Sequence, residues 1–171
     1  KLAGLSRERR AAPRRPAALA GRLAREGGSM PLLNWSHRHL HGGAMASAEL
    51  VAELDEKCAR SLWIGSNALG AAGGRAVGTA LAAAKTKVTR LSVASGELGG
   101  AGLAALRSAM GDEAEEALYS RALSLNSLGG AEAAGLAQSL EAGGTLFKLR
   151  SLALGGNTIM PQGAMALAAA L

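Results

Sequence analysis

The sequence predicts an α/β solenoid: similar strand–helix modules laid side by side, with a parallel sheet on one side and helices on the other. Three observations predict it. First, the segment "LRSLALGGNTIMPQGAMALAAAL", residues 149–171, carries apolar residues at places 1, 4, 6, 11, 19 and 23, Asn at place 9 and Gly at place 15. Second, the same pattern starts again at residues 59, 88 and 118, with steps of 29, 30 and 31 residues. Third, each copy mixes two spacings. Places 4 and 6 share one face of a strand, and places 15, 19 and 23 share one face of a helix. Neither element has a core within its own unit, so the units must stack.

The unit from 59 supplies Leu62, Ile64, Asn67, Leu69, Gly73, Val77 and Leu81 at the required places. The unit from 88 supplies Leu91, Val93, Leu98, Gly102, Leu106 and Met110, with Gly96 where Asn is expected. The unit from 118 keeps Leu123, Asn126, Leu128, Leu136 and Leu140 but departs twice. Arg121 falls at inward place 4 and Glu132 replaces the glycine. A buried unpaired arginine is costly, so the expectation is Leu123 inward and Arg121 at the start of the strand, partly exposed. Counting back from 59 gives a degenerate unit, 30–58, with Leu33, Trp35 and Leu40 in place and its helix leucines, Leu50 and Leu54, displaced by two. Asn67, Asn126 and Asn157 are expected to form a buried ladder that satisfies backbone groups of neighbouring turns. Gly73, Gly102 and Gly163 are expected to let each helix approach its strand, and Pro161 suits the first turn of a helix.

The pattern LxxLxLxxNxL, followed by GxxxLxxxL, resembles the leucine-rich repeat of the ribonuclease-inhibitor type, seen in Ran GTPase-activating proteins and the sensing domains of NOD-like receptors. The resemblance covers residues 59–171. It implies a right-handed horseshoe segment with a concave parallel sheet and convex helices. It also implies either a protein-interaction module or, as an alternative, a GTPase activator acting on a small GTPase.

Composition bounds these readings. The chain has 171 residues, of which 49% are apolar and only 2% aromatic, so its core is built of Leu and Ala. The formal charge is +6, and all of it resides in residues 1–29, with eight basic and two acidic groups; the remainder carries eleven of each sign. Nucleic-acid binding is therefore expected only through this arginine arm. The arm reads as a damaged terminal unit, a capping helix, a disordered segment or an organelle-targeting peptide. The break at "EGGSM" separates it from the repeats, 30–171. Residues 151–171 are uncharged, but Gly155, Gly156, Asn157, Pro161 and Gln162 interrupt them, so no membrane span is expected. A chain ending on a clean repeat, without the polar cap that solenoids carry, reads as truncated at its C-terminus. The single cysteine, Cys58, excludes an internal disulfide and a cysteine metal cluster, and fits the cytoplasm.

No catalytic set emerges. His37, His39 and His41 alternate, but no acid lies nearby to orient them as metal ligands. The Gly-Gly pairs match no phosphate-binding loop, and no GxSxG occurs. Neither a cofactor nor a metal is expected. The turns "GSNALGA", "ASGELGG", "LNSLGG" and "GGNTIMP" hold no arginine for a GTPase activator to project. Basic Lys85, Lys87 and Arg90 and acidic Asp112, Glu113, Glu115 and Glu116 occupy equivalent loops of adjacent units, so stacking brings opposite charges together. Trp63 stands between inward Leu62 and Ile64 and so faces outward on the sheet. The expected partner-binding surface is Ser61, Trp63, Arg90, Ser92, Ser120, Ser124 and Ser151, with Trp and Arg as the hot-spot types.

Overall fold

The computed structural model describes residues 30–41, 47–118, 120–141, 146 and 148–171. The N-terminal arm, residues 1–29, and the expectations of a capping helix, terminal unit, targeting peptide or nucleic-acid contact there lie outside the described residues. Five short strands form one parallel sheet in chain order: β1 Leu32–Asn34, β2 Ser61–Trp63, β3 Arg90–Ser92, β4 Ser120–Ala122 and β5 Ser151–Ala153. Helices follow them in turn: α1 Ser47–Glu56, α2 Gly70–Ala83, α3 Gly99–Ala117, α4 Gly130–Leu140 and α5 Pro161–Ala169. The sheet is open, and the architecture is a strand–helix solenoid.

The register is in phase with the repeat. Leu33, Leu62, Leu91, Arg121 and Leu152 stand side by side at place 4. Leu33, Leu62 and Leu91 are buried, as are Trp35, Ile64, Val93 and Leu123 two residues on. Val77, Leu81, Leu106, Met110 and Leu136 meet them from the helices, and Leu50 and Leu54 do so from α1 despite their displacement. The apolar places of successive units thus fill one continuous interior, which no single unit could enclose.

The strand-to-helix turn is the same device five times. Place 8 adopts a left-handed backbone in every unit: His37, Ser66, Ser95, Leu125 and Gly156 have φ between 55 and 71°. The asparagine ladder runs beneath these turns. Asn126 donates its amide to the carbonyls of Val93 (2.9 Å) and Ser124 (3.2 Å), while its Oδ1 accepts from the N–H groups of Gly96 and Leu98. Asn67 does the same toward the carbonyls of Trp35 and Ile64 and the N–H of Leu40. Asn157 serves Leu123, Asn126 and Leu128. Each asparagine therefore ties its turn to the preceding unit. Gly96 offers no such group, and the preceding turn is held by the Leu69 N–H donating to the Gly96 carbonyl (3.0 Å). Asn126→Ala should leave at least two buried N–H groups unpaired, at about 1–3 kcal/mol each. Asn157→Ala, in a half-buried position, should cost less. Urea unfolding of the two variants checks the order.

Two expectations are corrected. Arg121 is not at an exposed strand start; it is 1% exposed, in the middle of the leucine column. Its Nη2 donates to Glu115 Oε1 (3.0 Å), which also accepts from Arg107 Nε (3.0 Å). Glu115 is delivered by α3, which kinks at Gly111 (φ 70°, ψ 167°). Arg107 reaches on to the Ser139 hydroxyl and the Gly135 carbonyl of α4. The charge is thus paired in place, and the register of the repeat continues through β4. The glycines are the second correction, because the tightest approaches are helix to helix and not helix to strand. A methyl at Gly74 would run into the Gly102 carbonyl, and one at Gly78 into the Leu106 carbonyl and Ala109 Cβ. Thus α2 and α3 touch backbone to backbone, whereas α3 and α4 stand farther apart around the Arg107–Glu115–Arg121 seam.

Glu132, which occupies the glycine place of its unit, bends back to accept the Gly129 N–H (2.8 Å) at the start of α4. A carboxylate there also complements the helix dipole.

Candidate functional site

The outward faces of the five strands make the candidate surface. Place 3 presents Leu32, Ser61, Arg90, Ser120 and Ser151 in one row. Place 5 presents Asn34, Trp63, Ser92, Ala122 and Ala153 in the next. Strands stack about 4.8 Å apart and helices about 8–10 Å apart, so this sheet face is the concave one.

Trp63 is 48% exposed, and its diagonal neighbour Leu32 is 42% exposed. Leu125, Met160 and Met165 are more exposed still, but Trp63 and Leu32 lie together on the sheet face, where a contiguous apolar patch suits a docking surface. Arg90 is exposed beside them, Ser92 and Ser120 are half-buried, and Ser151 is exposed. Ser124 is half-buried just beyond β4. Ser61 is buried, so of the seven residues expected to meet a partner it is the one withdrawn from the surface. Sequence reasoning missed Leu32. The signal was present, since place 3 of the degenerate unit is outward by the same two-residue period that exposes Trp63.

The charged loops meet as expected at the other end of the strands. Lys87 pairs with Glu113 (2.8 Å), whose carboxyl this hydrogen bond holds below its usual range, and Lys148 pairs with Glu116 (3.2 Å). These exposed pairs stabilise little. Glu115 stands apart from that network, buried with Arg121.

The histidines sit on the turn after β1. His37 and His39 both hold left-handed backbone (φ 59° and 54°), which His tolerates better than most residues, and all three rings are exposed. The same turn contains Arg38, an arginine in a strand-to-helix turn that the sequence reading of the other four turns did not consider. Arg38 lies over the ring of buried Trp35 (4.7 Å) and 3.9 Å from Glu53, and Trp35 Nε1 donates to Glu53 (3.2 Å). Cys58 is buried. Among the described residues no helix is long and apolar enough to cross a membrane.

Comparison with known proteins agrees with this geometry. A family model described as "Leucine Rich repeat" matches residues 145–168. Among solved structures, "Leiomodin-1 Actin-Binding Site 2 (ABS2)" superposes with a TM-score of 0.53 at 17% identity, over 94% of this chain and 89% of that one. The fold is a leucine-rich-repeat solenoid. No curated protein matches the chain at a significant level. In leucine-rich-repeat terms, Asn67, Asn126 and Asn157 are the ladder of the repeat and the Trp63 row is its concave face.

Proposed function

We propose that the chain is a non-catalytic protein-interaction module, of the ribonuclease-inhibitor type of leucine-rich repeat, that docks a macromolecular partner on its concave face. Trp63 and Arg90 are the anchors. Leu32, Ser92, Ser120, Ser124 and Ser151 surround them, and Ser61 supports the row from below. The observation that carries the reading is the half-exposed Trp63 on the second of five strands, in a chain whose other described tryptophan is buried. The regular helix after every strand and the repeat length of 29–31 residues support the type assignment.

The test is equilibrium binding of the full chain to a panel of purified proteins, with Trp63→Ala and Arg90→Ala variants alongside. The panel includes actin, because the structural neighbour is named for binding it, and small GTPases. Trp63→Ala is expected to weaken the genuine partner by about 30-fold, the effect of a hot-spot residue of about 2 kcal/mol. Unchanged affinity in both variants, with the far-UV spectrum intact, would remove the site. Faster single-turnover GTP hydrolysis by any GTPase in the panel would favour the activator reading, for which Arg38, engaged by Trp35 and Glu53, offers no projecting arginine.

A further inference from the structure

The seam between α3, α4 and β4 holds more donors than acceptors. Arg107 finds an acceptor for each of its three nitrogens: Glu115 Oε1, the Gly135 carbonyl and the Ser139 hydroxyl. Arg121, 1% exposed, does not. Its Nη2 donates to the same Glu115 Oε1 (3.0 Å), but its Nε and Nη1 are buried and meet no acceptor among the described residues. Those two nitrogens carry three N–H groups, and a buried donor left without an acceptor is strongly unfavourable. Charge is out of balance as well. Glu115 is the one carboxylate in ion-pair contact with either guanidinium among the described residues, so two cations share one anion. The helices leave room here. A methyl at Gly74 or Gly78 strikes the backbone of α3, whereas one at Gly135 of α4 would meet nothing nearer than Arg107 Nη1 at 4.0 Å. Side chains bridge the α3–α4 junction where touching backbones close the α2–α3 junction.

We infer that this seam is a binding site for one small monovalent anion of chloride size, held by the Arg121 guanidinium. The anion accepts from the Nε and Nη1 groups that Glu115 leaves unfilled. One negative charge brings two guanidiniums and one carboxylate to neutrality, which a buried charged group requires. Water would fill the donors but leave the surplus charge in the interior. Phosphate or sulfate would need more room than a halide. Because β4 supplies Arg121 and α3 supplies Glu115, an occupied site fastens the third unit to the fourth.

The experiment uses the full chain and sodium chloride, exchanged for sodium gluconate at fixed ionic strength. Gluconate is monovalent but bulky. Chloride at about ten times its dissociation constant should lower the equilibrium constant for urea unfolding about tenfold. Arg121→Met, which returns an apolar side chain to the leucine column, should abolish that gain. Arg75→Met, at an exposed position of α2, should keep it. A second readout needs no variant. The chlorine magnetic-resonance line should broaden in the presence of the protein, and bromide should narrow it again where equal gluconate does not. A chloride effect of equal size in the wild-type chain and Arg121→Met would assign the effect to general salt action and overturn the site. Neither stabilisation nor broadening would mean that water fills the donors, which also overturns it. Stronger stabilisation by sulfate that disappears in Arg121→Met would overturn the monovalent class.

Discussion

Glu115→Ala is expected to lower the stability of this protein by about 3–5 kcal/mol, because it strands a buried arginine without its countercharge. Arg121 lies in the leucine column between Leu91 and Leu152, with Nε and Nη1 already lacking a hydrogen-bond partner among the described residues. Its Nη2 donates to Glu115 at 3.0 Å. Burial pulls its pKa down from the usual arginine range to about 10; the Glu115 charge opposes that fall, and Arg107 adds to it. A folded pKa below the unfolded one means that the unfolded chain holds this proton more tightly. Burial of the cation therefore works against folding at neutral pH, and relief comes only as the pH rises above about 10. Removing Glu115 removes the opposing charge and deepens the penalty. A loss of this size is a large part of the about 5–15 kcal/mol that holds a typical domain together. Arg121→Met, which restores an apolar side chain of similar length to the column, should be near neutral or stabilising. In that background Glu115→Ala should cost much less, since no buried guanidinium then depends on it and Arg107 reaches it from a half-exposed position. Chemical denaturation of the two single variants and the double variant measures the coupling. An unmoved midpoint in Glu115→Ala would show that Arg121 is solvated, contrary to its burial.

This seam marks the limit of what the sequence could reveal. Leu62, Ile64, Val93 and Leu123 were legible because their places serve a single interior, and a shift of one residue would turn each of them toward solvent. Trp63 was legible as outward by the same period. The buried state of Arg121 was not, because it depends on Glu115, which arrives only through the kink at Gly111 in the preceding unit. A template applied one unit at a time weighs the desolvation of an arginine and cannot see a partner from a neighbouring helix. Ser61 was assigned to the surface by period alone, and period does not report how closely neighbours cover a small side chain. Gly74 and Gly78 were overlooked for a related reason. They lie outside the repeat template, although their spacing of four places both on one face of a helix, where a close helix–helix contact needs them.

Gly78→Leu should be the most disruptive single change in the helix layer. Gly78 lies in the second half of α2, and any β-carbon there meets the Leu106 carbonyl, with Ala109 Cβ and the Met110 nitrogen each 2.9 Å away. Two of these are backbone atoms of α3 and cannot swing aside as a side chain can. A leucine would force the helices apart and break the Val77–Leu81–Leu106–Met110 packing between them. Even Gly78→Ala is expected to destabilise by about 1–3 kcal/mol through overpacking, although alanine is favoured over glycine inside a helix by about 1 kcal/mol. Gly135→Ala is the control: it is also a mid-helix glycine, but its nearest neighbour would be Arg107 Nη1 at 4.0 Å. That variant should gain about 0.5–1 kcal/mol, so the two alanine substitutions should move the thermal midpoint in opposite directions. The contact matters beyond stability, since α2 and α3 follow β2 and β3, the strands that carry Trp63 and Arg90. Helix separation behind a sheet sets how sharply it curves. Widening this one junction should therefore change the angle between the two anchors, and a Gly78→Ala chain that still folds should bind any concave-face partner more weakly than its stability loss alone explains.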